Sequence, residues 1–380
     1  MTSQLKWFVL LFGDIDFDGR AGRMIDIAQA FGEVHLLDCA VAAPQNRFRS
    51  YGYDRCRVAP GTSQPRRHLA FLRQALATAR RMRPDVVLAE DFFTAMPGRL
   101  AAAISGARFI YDAHELIIPG KDEATSYRDR FWAALERHAA PAADLVIAAN
   151  SERAQIMTDS YPLRRPASYM RNIPDVQPPS EASLAEVRTK YPTLERRTTD
   201  EILVLYQGAI VAARGLPRFM DAVAHLPANY RLIVAGDGPD RQILTALAAG
   251  DRFGGRINFL GKVLNAEVGT VARLCDIGIA TYGYDSRNSL LCSPNKVFEY
   301  AQSGLSIISS DQLPLRNLLE GRPWARTLSQ NADCAEVAAR ILELPRDRAA
   351  NCESITSFLA ENAAGAERDR VADLFREILG

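Results

Sequence analysis

Short apolar runs alternate with longer amphipathic stretches through almost the whole chain, and this alternation most limits what it can fold into. Strand-like runs at Phe8–Phe12, Val34–Leu37, Val86–Ala89, Phe109–Tyr111, Leu145–Ala148 and near Ser168–Met170 are separated by helix-period stretches. Those stretches lie at Ala21–Phe31, Arg66–Arg83, Tyr127–Ala139 and Ser151–Ser160, where Ser151 followed by Glu152 reads as a helix start. Near-continuous apolar strands joined by long amphipathic connections pair in parallel, with crossover helices covering both faces of the sheet.

The pattern breaks and restarts. Asn172–Asp200 is rich in proline (Pro174, Pro178, Pro179, Pro192) and charge, with a short helix expected over Ser183–Lys190. Strand-like runs then resume at Ile202–Tyr206, Tyr230–Ala235, Ile257–Leu260, Ile277–Ala280 and Leu305–Ser309. The final stretch, Ala366–Leu379, places Val371, Leu374, Phe375 and Ile378 at helical spacing. A chain of 380 residues has room for two cores. The expected division is a first domain over 1–175, a connection over 176–200 and a second domain over 201–361, with a helix over 362–380 packing back onto the first. In open parallel sheets ligands bind beyond the carboxyl ends of the strands, so chemistry is sought there.

Composition removes several classes. No apolar run approaches the roughly 20 residues a bilayer span needs. Trp7–Phe12 is too short for the core of a secretory leader and has no small-residue cleavage site after it, so a cytoplasmic protein is expected. The six cysteines include no Cys-x-x-Cys pair, which fits reduced thiols rather than a disulfide framework or zinc site. The net charge of +1 gives no reason to expect a nucleic-acid partner. Residues 47–83 nevertheless hold ten arginines and one acid, Asp54. That stretch suits peripheral contact with an anionic surface at the inner membrane face, or a diphosphate-bearing acceptor; a solvated helix face in an Arg-rich chain accounts for it more simply.

Four segments can carry chemistry. In Ser293-Pro294-Asn295-Lys296-Val297-Phe298-Glu299, Pro294 suits a first helical position and Ser293 a cap. The free amides of that first turn suit phosphate oxygens, and Glu299 is placed to accept hydrogen bonds from ribose hydroxyls. Gly236-Asp237-Gly238-Pro239 is a tight strand-to-helix turn open to close backbone approach. After Tyr206-Gln207-Gly208, Arg214 precedes a helix, where its planar fork suits a diphosphate. Tyr111-Asp112-Ala113-His114-Glu115 sets a histidine between acids at a strand's carboxyl end. Asp14-Ile15-Asp16-Phe17-Asp18-Gly19 begins like a calcium loop, but the twelfth position is Ile25 rather than a bidentate glutamate, so no metal is expected.

In this order and spacing, together with Ile257–Val263, Asp276, Ser303-Gly304 and Asn172-Ile173-Pro174, these segments resemble the retaining, metal-independent glycosyltransferases of family four, or group 1. The resemblance implies an α/β protein of GT-B fold, with two Rossmann-like domains whose parallel sheets face a central cleft. It implies transfer from a nucleoside-diphosphate sugar, UDP being the default, to a glycan, lipid-linked or small-molecule acceptor, with no cofactor. By resemblance, Glu299 binds ribose, Arg214 holds the diphosphate, and the backbone at Gly261, Lys262 and Val263 forms part of the base pocket. Gly208, Gly238, Ser293 and Asn295 join the donor side. Gly19 and Gly22 sit in the first strand-to-helix loop near donor phosphate and acceptor, and His114 lines the sugar site.

Two departures stand out. Relatives often carry a glutamate eight positions before the ribose-binding one, where this chain has Leu291, and an arginine after the first-strand glycine, where it has Gly208-Ala209-Ile210. Lys296 is expected to replace the missing diphosphate clamp. Rival readings are a sugar-nucleotide epimerase of similar form and a binding protein without turnover. A nicotinamide oxidoreductase is disfavoured because Gly13, Gly19 and Gly22 do not make Gly-x-Gly-x-x-Gly.

Overall fold

Trp7, Phe8, Val9 and Leu10 are all wholly buried, as a strand covered on both faces requires. The computed structural model describes residues 4–40, 52–59, 61–121, 123–174, 177–346 and 348–380. The chain divides into two units, Met1–Asn172 with Gly365–Gly380, and Ile173–Ala364.

The first unit runs β1 (Leu5–Leu11), α1 (Gly19–Gln29), β2 (Gly32–Asp38), β3 (Gly52–Arg55), α2 (Gln64–Met82) and β4 (Val86–Glu90). It continues with α3 (Phe92–Ser105), β5 (Arg108–Ala113), α4 (Tyr127–Ala139), β6 (Leu145–Ala148), α5 (Ser151–Ser160) and β7 (Ser168–Tyr169). Its sheet has the order β3-β2-β1-β4-β5-β6-β7, parallel at every pairing.

The second unit runs α6 (Glu181–Lys190), β8 (Ile202–Gln207), α7 (Leu216–Ala222), β9 (Tyr230–Ala235), α8 (Arg241–Ala248) and β10 (Ile257–Gly261). Then come α9 (Val268–Arg273), β11 (Ile277–Ala280), α10 (Arg287–Leu290), α11 (Asn295–Gln302), β12 (Ser306–Ser310) and α12 (Leu313–Leu319). β13 (Ala325–Leu328), α13 (Cys334–Leu342) and α14 (Arg348–Glu361) follow, and α15 (Ala364–Leu379) belongs almost wholly to the first unit. The sheet order is β10-β9-β8-β11-β12-β13, again all parallel. Both sheets reverse their strand order once, between β1 and β4 and between β8 and β11. At such a switch point adjacent loops diverge and leave a crevice at the carboxyl ends.

The last helix, α15, buries Val371, Phe375 and Ile378 in the first unit's core, with the Phe375 ring 5.0 Å from Trp7. The segment 176–200, read as a connection, is built into the second unit from Gln177 onward. Leu184, Val187 and Leu194 enter its core, and the buried Arg231 pairs with Glu201 and donates to the carbonyls of Thr193 and Glu195. A segment whose apolar side chains enter the core and whose carbonyls hold a buried arginine is core rather than tether.

Several local expectations are corrected. Gly19 and Gly22, read as loop residues, occupy the first turn of α1, because Asp18 caps that helix by accepting from the Ala21 amide. Asp14 caps the short turn before it, so two of the three acids of the calcium-like run, Asp14 and Asp18, serve as caps. The α5 cap is Asn150, not Ser151. β3 and β13 lie at sheet edges and carry polar residues, so no apolar run announces them. Of the basic stretch 47–83, residues 47–51 and 60 lie outside the described residues.

Candidate functional site

In the second unit, Gly278 of β11 has no room for a side chain: an added Cβ would come within 2.3 Å of the Tyr300 ring. That packing presses α11 onto the sheet, with the Tyr300 hydroxyl donating toward the carbonyls of Leu205 and Ile279 at 3.4 and 3.3 Å. Lys296 and Glu299, on the same helix, are thereby carried to the β8–β11 switch point.

Glu299 is 7% exposed; its Oε2 accepts from Gln207 Nε2 at 2.5 Å and its Oε1 from Asn295 Nδ2 at 3.4 Å. Lys296 is 6% exposed, and its Nζ has no hydrogen-bond partner among the described residues. The ammonium instead lies 5.2 Å from the ring centres of both Tyr206 and Tyr282. Burial, with Arg214 nearby, pushes it down to about 8, partly offset by Glu299. An ordinary lysine in water stays near 10.4, so the fold holds this cation at a cost.

Gly208 makes this arrangement possible. Its φ of +127° suits glycine, and an added Cβ would meet Lys296 Cε at 2.9 Å. Arg214 ends the turn after β8 and is partly exposed; it makes no side-chain hydrogen bond or ion pair among the described residues. Two cations thus share one carboxyl edge.

Other donor-side expectations change in detail. The helix α11 starts at Asn295, with Pro294 as its cap residue and no side-chain cap. The Asn295 amide bonds back to the Ser293 carbonyl at 3.1 Å, so Ser293 acts through its backbone rather than as a capping hydroxyl. At Gly236 and Gly238, the space a side chain would take is filled by the neighbouring loop. Added Cβ atoms there would lie 1.9 Å from the Gly208 carbonyl oxygen and 2.3 Å from that of Ile210. The Ile210 amide bonds to the Asp237 carbonyl at 2.9 Å, and Asp240 accepts from the Ala212 amide at 2.7 Å, so this turn braces the loop that bears Arg214. Lys262, exposed, and Val263, packed on the core, follow β10.

In the first unit, His114 lies just past β5 inside a cluster that sequence reading saw only in part. Its Nε2 is 2.7 Å from Glu90 Oε2 and 3.3 Å from Asp112 Oδ2, and its Nδ1 is 3.7 Å from Asp18. Arg20, on α1, holds Asp112 through both oxygens at 2.8 and 2.5 Å and donates to the Ala148 and Met170 carbonyls. Burial alone would lower the His114 imidazole, but the hydrogen bonds to Asp112 and Glu90 hold it well above its usual value. Burial would likewise raise Asp112, yet Arg20 and His114 keep it low. Glu90, buried beside Asp112, is pushed up to about 8. Its Oε1 and Asp91 Oδ1 lack partners among the described residues. The missed signal was the acidic pair Glu90-Asp91 closing an apolar strand.

Glu90, Asp112 and His114 lie close enough to suggest metal ligands. The donor set does not fit, because Arg20 occupies both Asp112 oxygens and brings a fixed positive charge against the cluster.

Solved structures share this fold across nearly the full length. The Anabaena protein HepE, in complex with UDP and glucose, superposes with a TM-score of 0.71 at 18% identity, covering 98% of this chain and 100% of that one. Sucrose-phosphate synthase from Thermosynechococcus elongatus gives 0.75 at 15%, covering 98% and 99%. WaaG, a glycosyltransferase of lipopolysaccharide biosynthesis, gives 0.72 at 15%, covering 97% and 99%. No curated protein matches the chain in sequence. A family model described as a glycosyl transferase 4-like domain matches residues 27–172, and one for glycosyl transferases group 1 matches 201–347. With both halves matched in order and two parallel Rossmann-like sheets beneath them, the chain belongs to the family-four-like, group 1 glycosyltransferases of GT-B fold.

Proposed function

We propose that this glycosyltransferase draws its sugar from a nucleoside-diphosphate donor bound by the second unit, without a metal and with retention at the anomeric carbon. The observation that carries the reading is the Lys296 ammonium, buried without a hydrogen-bond partner beside a helix N-terminus and Arg214. An uncompensated buried cation is unfavourable unless a ligand completes it, and a diphosphate supplies the matching charge. Glu299 and Gln207 then face the ribose, and the Gly261–Val263 backbone the base. Uracil is the base proposed, with UDP as the leaving nucleotide, in keeping with the shared fold of the UDP-bound HepE structure.

In the step itself, the bond from the anomeric carbon to the diphosphate oxygen breaks while a bond to the acceptor oxygen forms on the same face. The acceptor proton passes to the leaving diphosphate, so no side-chain nucleophile is needed. Lys296, Arg214 and the first amides of α11 stabilise the charge that develops on the departing group. His114, backed by Glu90, is assigned to substrate hydroxyls on the first unit, and the acceptor is a glycan, a lipid-linked sugar or a small hydroxylated molecule.

Incubation with UDP-, GDP-, TDP- and ADP-sugars, followed by assay of nucleoside diphosphate release, tests this. Slow hydrolysis of one donor is expected. Epimer interconversion, or tight binding with no release even beside acceptor-rich extracts, would overturn it.

A further inference from the structure

The first unit carries a second concavity that the donor reading leaves unused. Between α2, α3 and α4 lies a groove of about 590 Å3 lined by Leu69, Leu72, Phe93, Met96, Phe131 and Trp132, among others. This lies inside the roughly 300–1,000 Å3 range of small-molecule sites. Its floor is a stack of rings: His68 lies 4.0 Å from Phe12 and 4.7 Å from Trp132, and Trp132 meets Phe93 edge-on at 4.9 Å. Burial, with Arg67 and Arg128 nearby, pushes His68 down to about 4, so the floor is uncharged at neutral pH. Leu69 and Phe131 remain 47% and 56% exposed, a liability for a surface meant to meet only water.

Charge around the groove is one-sided. Arg128 lines it, Arg67 lies over the Phe12 ring and close enough to act on His68, and of the two acids on the three helices neither lines it. Both acids are committed, Asp129 to the Ser126 cap and Glu136 to the Tyr111 and Tyr161 hydroxyls. The groove is also tied to the edge that holds His114. Phe12 directly follows β1, and Phe93 lies three residues after Glu90, within about 11 Å along the chain.

We propose that this groove seats the apolar tail of the sugar acceptor, an amphiphile whose alkyl or prenyl chain ends in an anionic phosphate or diphosphate head. Rings and aliphatic side chains take the tail, and the surrounding guanidinium groups take the head. The assignment rests on the transferase reading and narrows its acceptor to one chemical class.

Calorimetric titration of the full-length protein with butyl, octyl and dodecyl phosphate, each below its micelle concentration, tests it. Each further methylene buried should tighten binding roughly fourfold, so dodecyl should exceed octyl by on the order of 100-fold. Dodecyltrimethylammonium should bind at least about tenfold more weakly than dodecyl phosphate, for want of a charge partner. Leu72→Asp and the more exposed Leu69→Asp should each remove most of the dodecyl affinity, while Ile243→Asp, a substitution on the second unit's surface, should not. Affinity independent of chain length, equal binding of the cationic amphiphile, or binding to phosphatidylglycerol vesicles with none to monomeric amphiphile would each overturn the proposal. Donor hydrolysis by the same preparation separates the two readings. Flat alkyl binding beside intact hydrolysis removes the tail site alone, whereas graded alkyl binding with a silent donor panel removes the donor reading.

Discussion

The two units bury charge at equivalent places, the switch points of their sheets, and treat it in opposite ways. In the first, Arg20 is held by both oxygens of Asp112 and by two backbone carbonyls, and His114 sits among three carboxyl groups. In the second, Lys296 faces two tyrosine rings and a second cation, with no acceptor for its protons. A charge that the protein neutralises itself can serve the fold. One that it leaves unmatched is stabilised by an anion that binds there, which is the basis for proposing the donor site in the second unit.

Substitutions should pull this contrast apart. Asp112→Ala should have the largest effect, since it strands the Arg20 guanidinium. A loss of about 3–5 kcal/mol of unfolding free energy is expected in urea denaturation. A loss nearer the roughly 0–1 kcal/mol of a surface pair would mean that the carbonyls alone satisfy Arg20. Lys296→Met should move two observables in opposite directions. Donor turnover should fall on the order of 10²–10³-fold, as for loss of one transition-state contact. Resistance to unfolding should rise by about 1–3 kcal/mol, because an unsatisfied buried group is gone. If activity and stability fell together, Lys296 would be a structural residue and the contrast would fail.

Glu299→Ala sharpens the second unit's geography. Loss of a charged hydrogen-bond acceptor should weaken donor binding by about 1.5–3 kcal/mol. The weakening should appear with the free nucleoside as well as the nucleoside diphosphate, whereas Lys296→Met should spare the nucleoside. Equal effects of both substitutions on both ligands would merge the ribose and phosphate sites. The smallest effect concerns pH. The free protein loses the Lys296 proton as pH rises through about 8, while a bound diphosphate retains it. Nucleoside diphosphate affinity should therefore decline above that pH, by at most about tenfold per unit, with proton uptake on binding. Calorimetry in buffers of differing ionisation enthalpy measures that uptake, and Lys296→Met should abolish it.

Much of the second unit's site is legible from local order. Arg214 follows an apolar strand and precedes a helix, and Asn295, Lys296 and Glu299 share one short helix before the next strand. The first unit's cluster is far less legible, because Arg20 and Asp112 are 92 residues apart and Glu90 and His114 are 24. Sequence spacing points to His114 as interesting but cannot name its partners. The glycines of Gly236-Asp237-Gly238 illustrate a different limit. They suit either a ligand or a neighbouring loop, and only the folded position of Gly208 and Ile210 shows that the loop takes the space.

By itself, the alternation of apolar runs with amphipathic stretches determined two parallel sheets with crossover helices, since strands buried on both faces need helices over each face and helix-length connections leave neighbouring strands parallel. It also pointed to the carboxyl ends as the place to look for chemistry. Tertiary structure alone decided which charges are matched and which are not. Desolvation and pairing belong to the surroundings of a group rather than to its identity, so Lys296 and Arg20, both basic residues in one sequence, became an unpaired cation and a clamp for a fold.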